Sequence, residues 1–106
     1  MTISRIEHIQ EMLKDDPNDS FLNYGLALEY AKINDVNKAI ELIIKLLEQD
    51  GNYLGAYYRL GKFYEQTEQK NAAVEIYKSG IVIAQLQNNM KTFRELNEAL
   101  LVLEPS

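Results

Sequence analysis

The chain has 106 residues, 46% of them hydrophobic and 25% charged, with two prolines and five glycines. This is the composition of one soluble globular domain with its own core, not of a disordered or collagen-like chain. Eleven Lys and Arg against sixteen Asp and Glu give a net charge of −5; with the basic residues scattered singly, that is a poor match for nucleic acid or an anionic membrane.

Ile3, Ile6, Ile9, Met12 and Leu13 recur at helical spacing among charged residues, so residues 3–14 are expected to form a helix. The alternation leaves no continuous apolar stretch of the kind a signal peptide has. Asp15-Asp16-Pro17 stops this helix, because proline disfavours the α conformation in the residue before it. Asn18, Asp19 and Ser20 carry cap chemistry for a helix over Ser20–Lys32, with Leu22, Leu26, Ala27 and Tyr30 on one face. Asn34-Asp35 makes a turn, and Asp35 is the expected cap of a helix over Val36–Gln49 whose buried stripe is Ala39, Ile40, Ile43, Leu46 and Leu47. Asp50-Gly51-Asn52 breaks it, with Gly51 expected to supply the backbone freedom of a helix C-terminus.

The next helix is expected from Tyr53 to about Thr67, with a turn at Glu68-Gln69-Lys70. Asn71 is the expected cap of a helix carrying Ala73, Val74, Tyr77, Gly80 and Ile81 and continuing through Leu86. A mid-helix glycine costs roughly 1 kcal/mol against alanine, so Gly80 implies a close helix crossing. A last helix over 90–103 carries Phe93, Leu96, Ala99, Leu100 and Leu103. The most apolar run, Ile81-Val82-Ile83-Ala84, is far too short to span a bilayer. There is no cysteine, so neither disulfides nor thiolate metal sites can form, and a cytoplasmic location is expected.

One pattern appears twice, 34 positions apart. Tyr24, Leu26, Tyr30, Asn37, Ala39 and Glu41 return as Tyr58, Leu60, Tyr64, Asn71, Ala73 and Glu75. A helical repeat of this length means helix pairs in series, and it points to a surface that holds another polypeptide rather than to a single-site enzyme. The second unit reads Tyr57-x-x-Leu60-Gly61-x-x-Tyr64, then Ala73-x-x-x-Tyr77; the first reads Asn23-x-x-Leu26-Ala27-x-x-Tyr30, then Ala39-x-x-x-Ile43. Over about residues 17–87 the chain resembles a tetratricopeptide-repeat protein.

The resemblance implies an all-α solenoid of antiparallel helix pairs, about six helices in a single domain, with repeat one over 20–53 and repeat two over 54–87. Residues 3–14 resemble the second helix of a repeat whose first is missing. A shift of 36 places Tyr57, Leu60 and Tyr64 on Phe93, Leu96 and Leu100, so the last helix resembles the first helix of an unfinished repeat, serving as a cap. Lys91, Arg94, Glu95 and Glu98 would solvate its outer side. Asn23 departs from the pattern by standing where a large apolar residue is usual, and Gly51 and Gln85 stand where proline is usual.

In this family the first helices line a concave groove that usually takes a peptide or a partner helix. Carried over by position, the groove residues are Phe21, Tyr24, Leu28 and Lys32 from the first unit and Tyr58, Arg59, Lys62, Glu65 and Gln66 from the second. Against this stands the plainer reading that Tyr24 and Tyr58 extend the core. Tyr58 lies two positions before Leu60, roughly 200° around the helix, and is therefore expected to face away from the buried set. Some family members clamp the terminal carboxylates of heat-shock chaperones with lysine, asparagine and arginine. Tyr24 and Leu28 occupy the positions that would need lysine and asparagine, and Arg59 alone is no clamp.

His8, with Glu7 and Glu11 nearby, reads as a solvated helix face and not as a metal site. Glu41 and Glu75 recur in register and are expected to pair with nearby lysines. No phosphate loop and no nucleophile motif is present, so neither catalysis nor a cofactor is expected. The expected function is a protein–protein interaction module for a peptide segment or helix. The alternatives are a structural homo-oligomer and a helper subunit or chaperone with a single client.

Overall fold

The computed structural model describes residues 4–105; the expected stripe residue Ile3 lies outside them. The described residues form six helices and no strand: α1 (Arg5–Leu13), α2 (Ser20–Lys32), α3 (Val36–Gln49), α4 (Gly55–Gln66), α5 (Lys70–Leu86) and α6 (Met90–Leu103). The chain divides into two compact units, Met1–Gly51 with α1 to α3 and Asn52–Ser106 with α4 to α6. In the first, α2 packs against both α1 and α3; in the second, α5 packs against both α4 and α6.

Short polar side chains start four of these helices. Ser4 opens α1 by accepting from the Glu7 amide at 3.1 Å, in the Ser-x-x-Glu pattern of a capping box. Asp19 accepts from the Leu22 amide at 2.9 Å, Asp35 from the Lys38 amide at 3.2 Å, and Asn89 from the Thr92 amide at 3.0 Å. The expected cap Asn71 does not act as one: α5 begins earlier, Gln69 holds the cap position without a side-chain bond, and Asn71 lies exposed within the helix. Helix α4 likewise begins later than expected. Tyr53 and Leu54 enter it through i→i+3 bonds, Ala56 N to Tyr53 O and Tyr57 N to Leu54 O, both 3.2 Å.

Three turns share one geometry. Asn34, Glu68 and Asn88 adopt left-handed φ of 65°, 58° and 56°. In each case the amide of the following residue reaches back across the turn: Asp35 N to Tyr30 O at 2.9 Å, Gln69 N to Tyr64 O at 2.8 Å, and Asn89 N to Ala84 O at 2.9 Å. This is the Schellman closure of a helix C-terminus. Gly51, expected to supply left-handed backbone, does not, since no glycine among the described residues has positive φ.

The first unit buries Leu26, Ala27, Ala39, Ile40, Ile43 and Leu46, and the second buries Leu54, Ala56, Tyr57, Leu60, Phe63, Ala73, Val74, Tyr77, Ala84, Leu96 and Ala99. Leu47 and Ile81, expected in the buried stripes, are half-buried. Both glycines of the second unit's helix crossings are sterically required. A Cβ on Gly61 would stand 2.1 Å from Cε1 of Tyr77, and one on Gly80 would stand 2.7 Å from Cβ of Tyr57. The expected close crossing at Gly80 is therefore present, and α6 shares it through Leu96.

In register, the first unit has Ala27 for Gly61, Ile43 for Tyr77, Asn23 for Tyr57 and Leu46 for Gly80. Asn23 lacks the bulk of Tyr57, and a cleft of about 190 Å³ lined by Pro17, Asn23, Leu42, Lys45 and Leu46 borders it. The Asn23 amide is used locally: its Nδ2 donates to Pro17 O at 2.9 Å and to Asp19 O at 3.0 Å.

Candidate partner-binding surface

On α2, Phe21, Tyr24, Leu28 and Lys32 are spaced by three, four and four residues, which puts them on one stripe of the helix. Phe21 is 74% exposed, an unusual state for a side chain with so much apolar area. Tyr24 and Leu28 are half-buried, and Lys32 is exposed. Lys32 Nζ lies 3.0 Å from Glu29 Oε2, and Arg5 Nε of α1 lies 3.3 Å from Glu29 Oε1. The hydrogen bond from Lys32 holds the Glu29 carboxyl below the ordinary carboxylate range, with the charges of Lys32 and Arg5 helping and partial desolvation opposing.

On α4 the stripe is more polar. Tyr58, Lys62 and Glu65 follow one another at helical spacing, and Gln66 lies four after Lys62 at the edge of the same stripe. Lys62 Nζ stands 5.3 Å from the Tyr58 ring centroid, within cation–π range, and 3.7 Å from Glu65 Oε2. The same Glu65 oxygen accepts a hydrogen bond from the Tyr77 hydroxyl of α5. Tyr77 is fully buried, and its ring lies 6.4 Å from that of Tyr58 at a tilt of 44°. Burial, then the Glu65 hydrogen bond and charge, then Tyr58, push the Tyr77 phenol well above its ordinary value, so it stays a hydrogen-bond donor.

One expectation is corrected here. Tyr58 does not simply face away from the buried set; it is half-buried, because α5 approaches close enough for the two rings to meet. Arg59 is exposed and lies at i, i+7 from Gln66, about 20° from it around the helix, on the Gln66 edge of the stripe. It takes the register position of Gly25, whose side faces Ile9 of α1 in the first unit. Tyr77 is the participant that sequence reasoning missed. Its signal was a phenol where the first unit has Ile43, since a buried hydroxyl needs an acceptor.

His8 is exposed on α1, and the described residues contain no group of three His, Cys, Asp or Glu able to hold a metal ion. Glu41 and Glu75 are exposed, and among the described residues neither forms an ion pair, because no lysine comes into range. No helix among the described residues is long and apolar enough to cross a membrane.

Two helix pairs in a common 34-residue register, each presenting a stripe from its first helix, define a helical repeat protein. The family profile described as "Tetratricopeptide repeat" matches residues 2–82, and the chain belongs to that family. A solution NMR structure of a tetratricopeptide repeat domain protein from Salinibacter ruber is 38% identical, covers 84% of this chain and 90% of its own, and superposes with a TM-score of 0.80. A TPR repeat-containing protein of Pseudomonas aeruginosa is 24% identical over 99 residues, spanning 93% of this chain and 94% of its own length. The TPR2B domain of yeast Sti1, solved in complex with pHsp70, shares the fold at 23% identity and a TM-score of 0.85, over 92% of this chain and 78% of that one. Domains of this family are generally protein–protein interaction modules and typically non-catalytic.

Proposed function

We propose that this chain binds a peptide segment or helix of a partner protein, with Tyr58, Lys62, Glu65 and Gln66 of α4 as its polar recognition stripe. Phe21, Tyr24, Leu28 and Lys32 of α2 are proposed as an apolar stripe contacting the same class of ligand. The observation that carries this reading is the chain of contacts from Lys62 over the Tyr58 ring to Glu65 and the buried Tyr77 hydroxyl. A lysine, a carboxylate and a ring are held in fixed geometry on a helix surface. Side chains already ordered in this way lose less rotamer entropy when a ligand arrives. Tyrosine and exposed phenylalanine also supply large apolar contact areas, the usual anchors of a protein interface.

The class of partner follows from charge and chemistry. A net charge of −5 disfavours nucleic acid. A terminal-carboxylate clamp is not proposed, because Tyr24 and Leu28 offer neither cation nor amide where the resemblance would require them. A mixed segment suits the α4 stripe best: an apolar side chain against Tyr58, and polar groups to Lys62 and Glu65. Photo-crosslinking tests this directly. A crosslinking amino acid at position 58 should capture one defined protein from the native cell extract, and the same group at exposed Glu75 on α5 should not. Equal capture at both positions, or none at 58, would remove the proposal.

A further inference from the structure

One aromatic position of the second unit is filled by an amide in the first. Tyr57 is 7% exposed, and its ring lies against Gly80: a Cβ on that glycine would stand 2.7 Å from Cβ and 3.1 Å from Cγ of Tyr57. In register, the first unit has Asn23 and Leu46. The Asn23 carboxamide does not take the place of a ring. Its two hydrogen bonds, to Pro17 O at 2.9 Å and Asp19 O at 3.0 Å, turn it back toward the start of α2. Leu46 supplies bulk from α3 instead, and the cleft of about 190 Å³ remains beside the two residues.

The cleft has the size and the lining for one aromatic side chain. A cavity of about 150 Å³ walled by aliphatic groups takes a benzene ring. Here Leu42 and Leu46 of α3 and Pro17 supply the apolar wall, with Leu46 buried and Leu42 half-buried. Ser20 is held at its edge by donating to Asp50 at 2.7 Å. The remaining lining is polar and exposed: Asn18, Lys45 and Gln49. Carboxamides both donate and accept, so Asn18 and Gln49 suit the backbone of a peptide. Lys45 forms no ion pair among the described residues, which leaves its ammonium for a phenol oxygen or a ring face.

We propose that this cleft binds a tyrosine side chain of a peptide, so that the ligand brings to the first unit the ring that Tyr57 brings to the second. The ring packs on Leu42, Leu46 and Pro17, and the backbone on either side of it meets the amides of Asn18 and Gln49. This is a site apart from the α2 stripe, since Asn23 lies about 100° around the helix from Tyr24. It uses none of the residues of the α4 stripe, so it stands or falls without the partner binding proposed there.

Titration of N-acetyltyrosinamide into the isotopically labelled 106-residue chain, followed by NMR, tests this. The amides of Asn23, Leu42 and Leu46 should shift together, with a dissociation constant on the order of millimolar, as expected for so small a ligand. Overhauser contacts should join the ligand ring to the methyl groups of Leu42 and Leu46. N-acetylleucinamide should bind about threefold or more weakly, because it lacks a ring face for Lys45. Asn23→Phe places a ring of the chain's own in the cleft and should weaken binding about tenfold or more, with an unchanged circular dichroism spectrum. If that variant does not fold, the Overhauser contacts of the wild type decide the matter alone. No contact from the ring to Leu42 or Leu46, equal binding of N-acetylleucinamide, or a folded Asn23→Phe that binds like wild type would overturn the proposal.

Discussion

The α2–α3 pair and the α4–α5 pair carry one register, yet at one of two equivalent crossings the large and the small side chain change helices. In the first unit the register sets Ala27 with Ile43, and Asn23 with Leu46. In the second, Gly61 yields to Tyr77, and Gly80 yields to Tyr57. Each crossing holds a large and a small partner, and the second unit moves the bulk to the other helix at the Tyr57–Gly80 crossing. Close packing explains why these choices travel together: a crossing tolerates only a narrow range of summed volume. The difference also has a functional side. Only the second unit has buried phenols, those of Tyr57 and Tyr77, and that of Tyr77 reaches out to Glu65 and fixes the α4 stripe. The first unit has an isoleucine there and presents an aromatic and apolar stripe instead.

The units differ most in how much they depend on their flanking helix. Helix α1 has no fully buried residue, whereas α6 contributes buried Leu96 and Ala99 beside half-buried Phe93, Leu100 and Leu103. Burial of the α6 set is worth roughly 5–8 kcal/mol before entropy is subtracted, against a typical domain stability of about 5–15 kcal/mol. Truncation after Asn88 should leave an aggregation-prone or molten chain. Removal of residues 1–14 should leave a cooperatively folded protein with a lower melting temperature. Hydrogen exchange on the full chain gives the same contrast, with the amides of Leu96 and Leu100 better protected than those of α1. Exchange of Leu96 at the rate of an unstructured chain would show that α6 is not part of the folded core.

The size pairing can be tested by moving one unit toward the other. Gly61→Ala should destabilise by about 1–3 kcal/mol through overpacking against the Tyr77 ring. The double variant Gly61→Ala with Tyr77→Ile, which rebuilds the Ala27–Ile43 pair, should recover part of that loss in thermal or urea unfolding. Simple additivity of the two substitutions would show that the pairing carries no coupling.

A smaller effect distinguishes the units by pH. The Tyr77 phenol is raised above its ordinary value of 10.0. Its contribution is therefore fully present below about pH 10 and is lost as the pH climbs toward the folded value, because the unfolded chain gives up its phenol proton first. Tyr77→Phe should be less stable than wild type at neutral pH, and the gap should narrow as the pH rises above 10. The first unit has no counterpart, so Ile43→Val should lower stability by an amount that does not change across the same range. A constant gap for Tyr77→Phe would contradict the proposed cause.

Much of this fold was legible in the sequence, because periodicity and caps are local. The bounds of α2 and α3 follow from Asp19 and Asp35 and from the apolar spacing behind them, and those of α6 from its apolar spacing alone. The start of α5 was misread because Gln69 looks unlike a cap and Glu68 unlike a left-handed residue. The register held the answer, since Glu68 stands 34 positions after Asn34 and takes the same turn. Close approach at Gly80 was readable from the cost of a mid-helix glycine, although Tyr57 as its neighbour was not. Of the surface, the stripe spacing could be read, but not the link from Tyr77 through Glu65 to Lys62. That link depends on side chains from two helices meeting, and no local pattern encodes it.

Partner recognition by the α4 stripe, with Leu60 supporting the fold, is separable by calorimetric titration of the crosslinked partner segment. Tyr58→Ala should weaken binding about tenfold or more, the loss expected when an interface anchor worth roughly 1.4 kcal/mol or more is removed, with only a small fall in melting temperature. Leu60→Ala, at a buried position, should cost about 2–5 kcal/mol of stability instead. Unchanged affinity for Tyr58→Ala, or unfolding as severe as that of Leu60→Ala, would contradict the account.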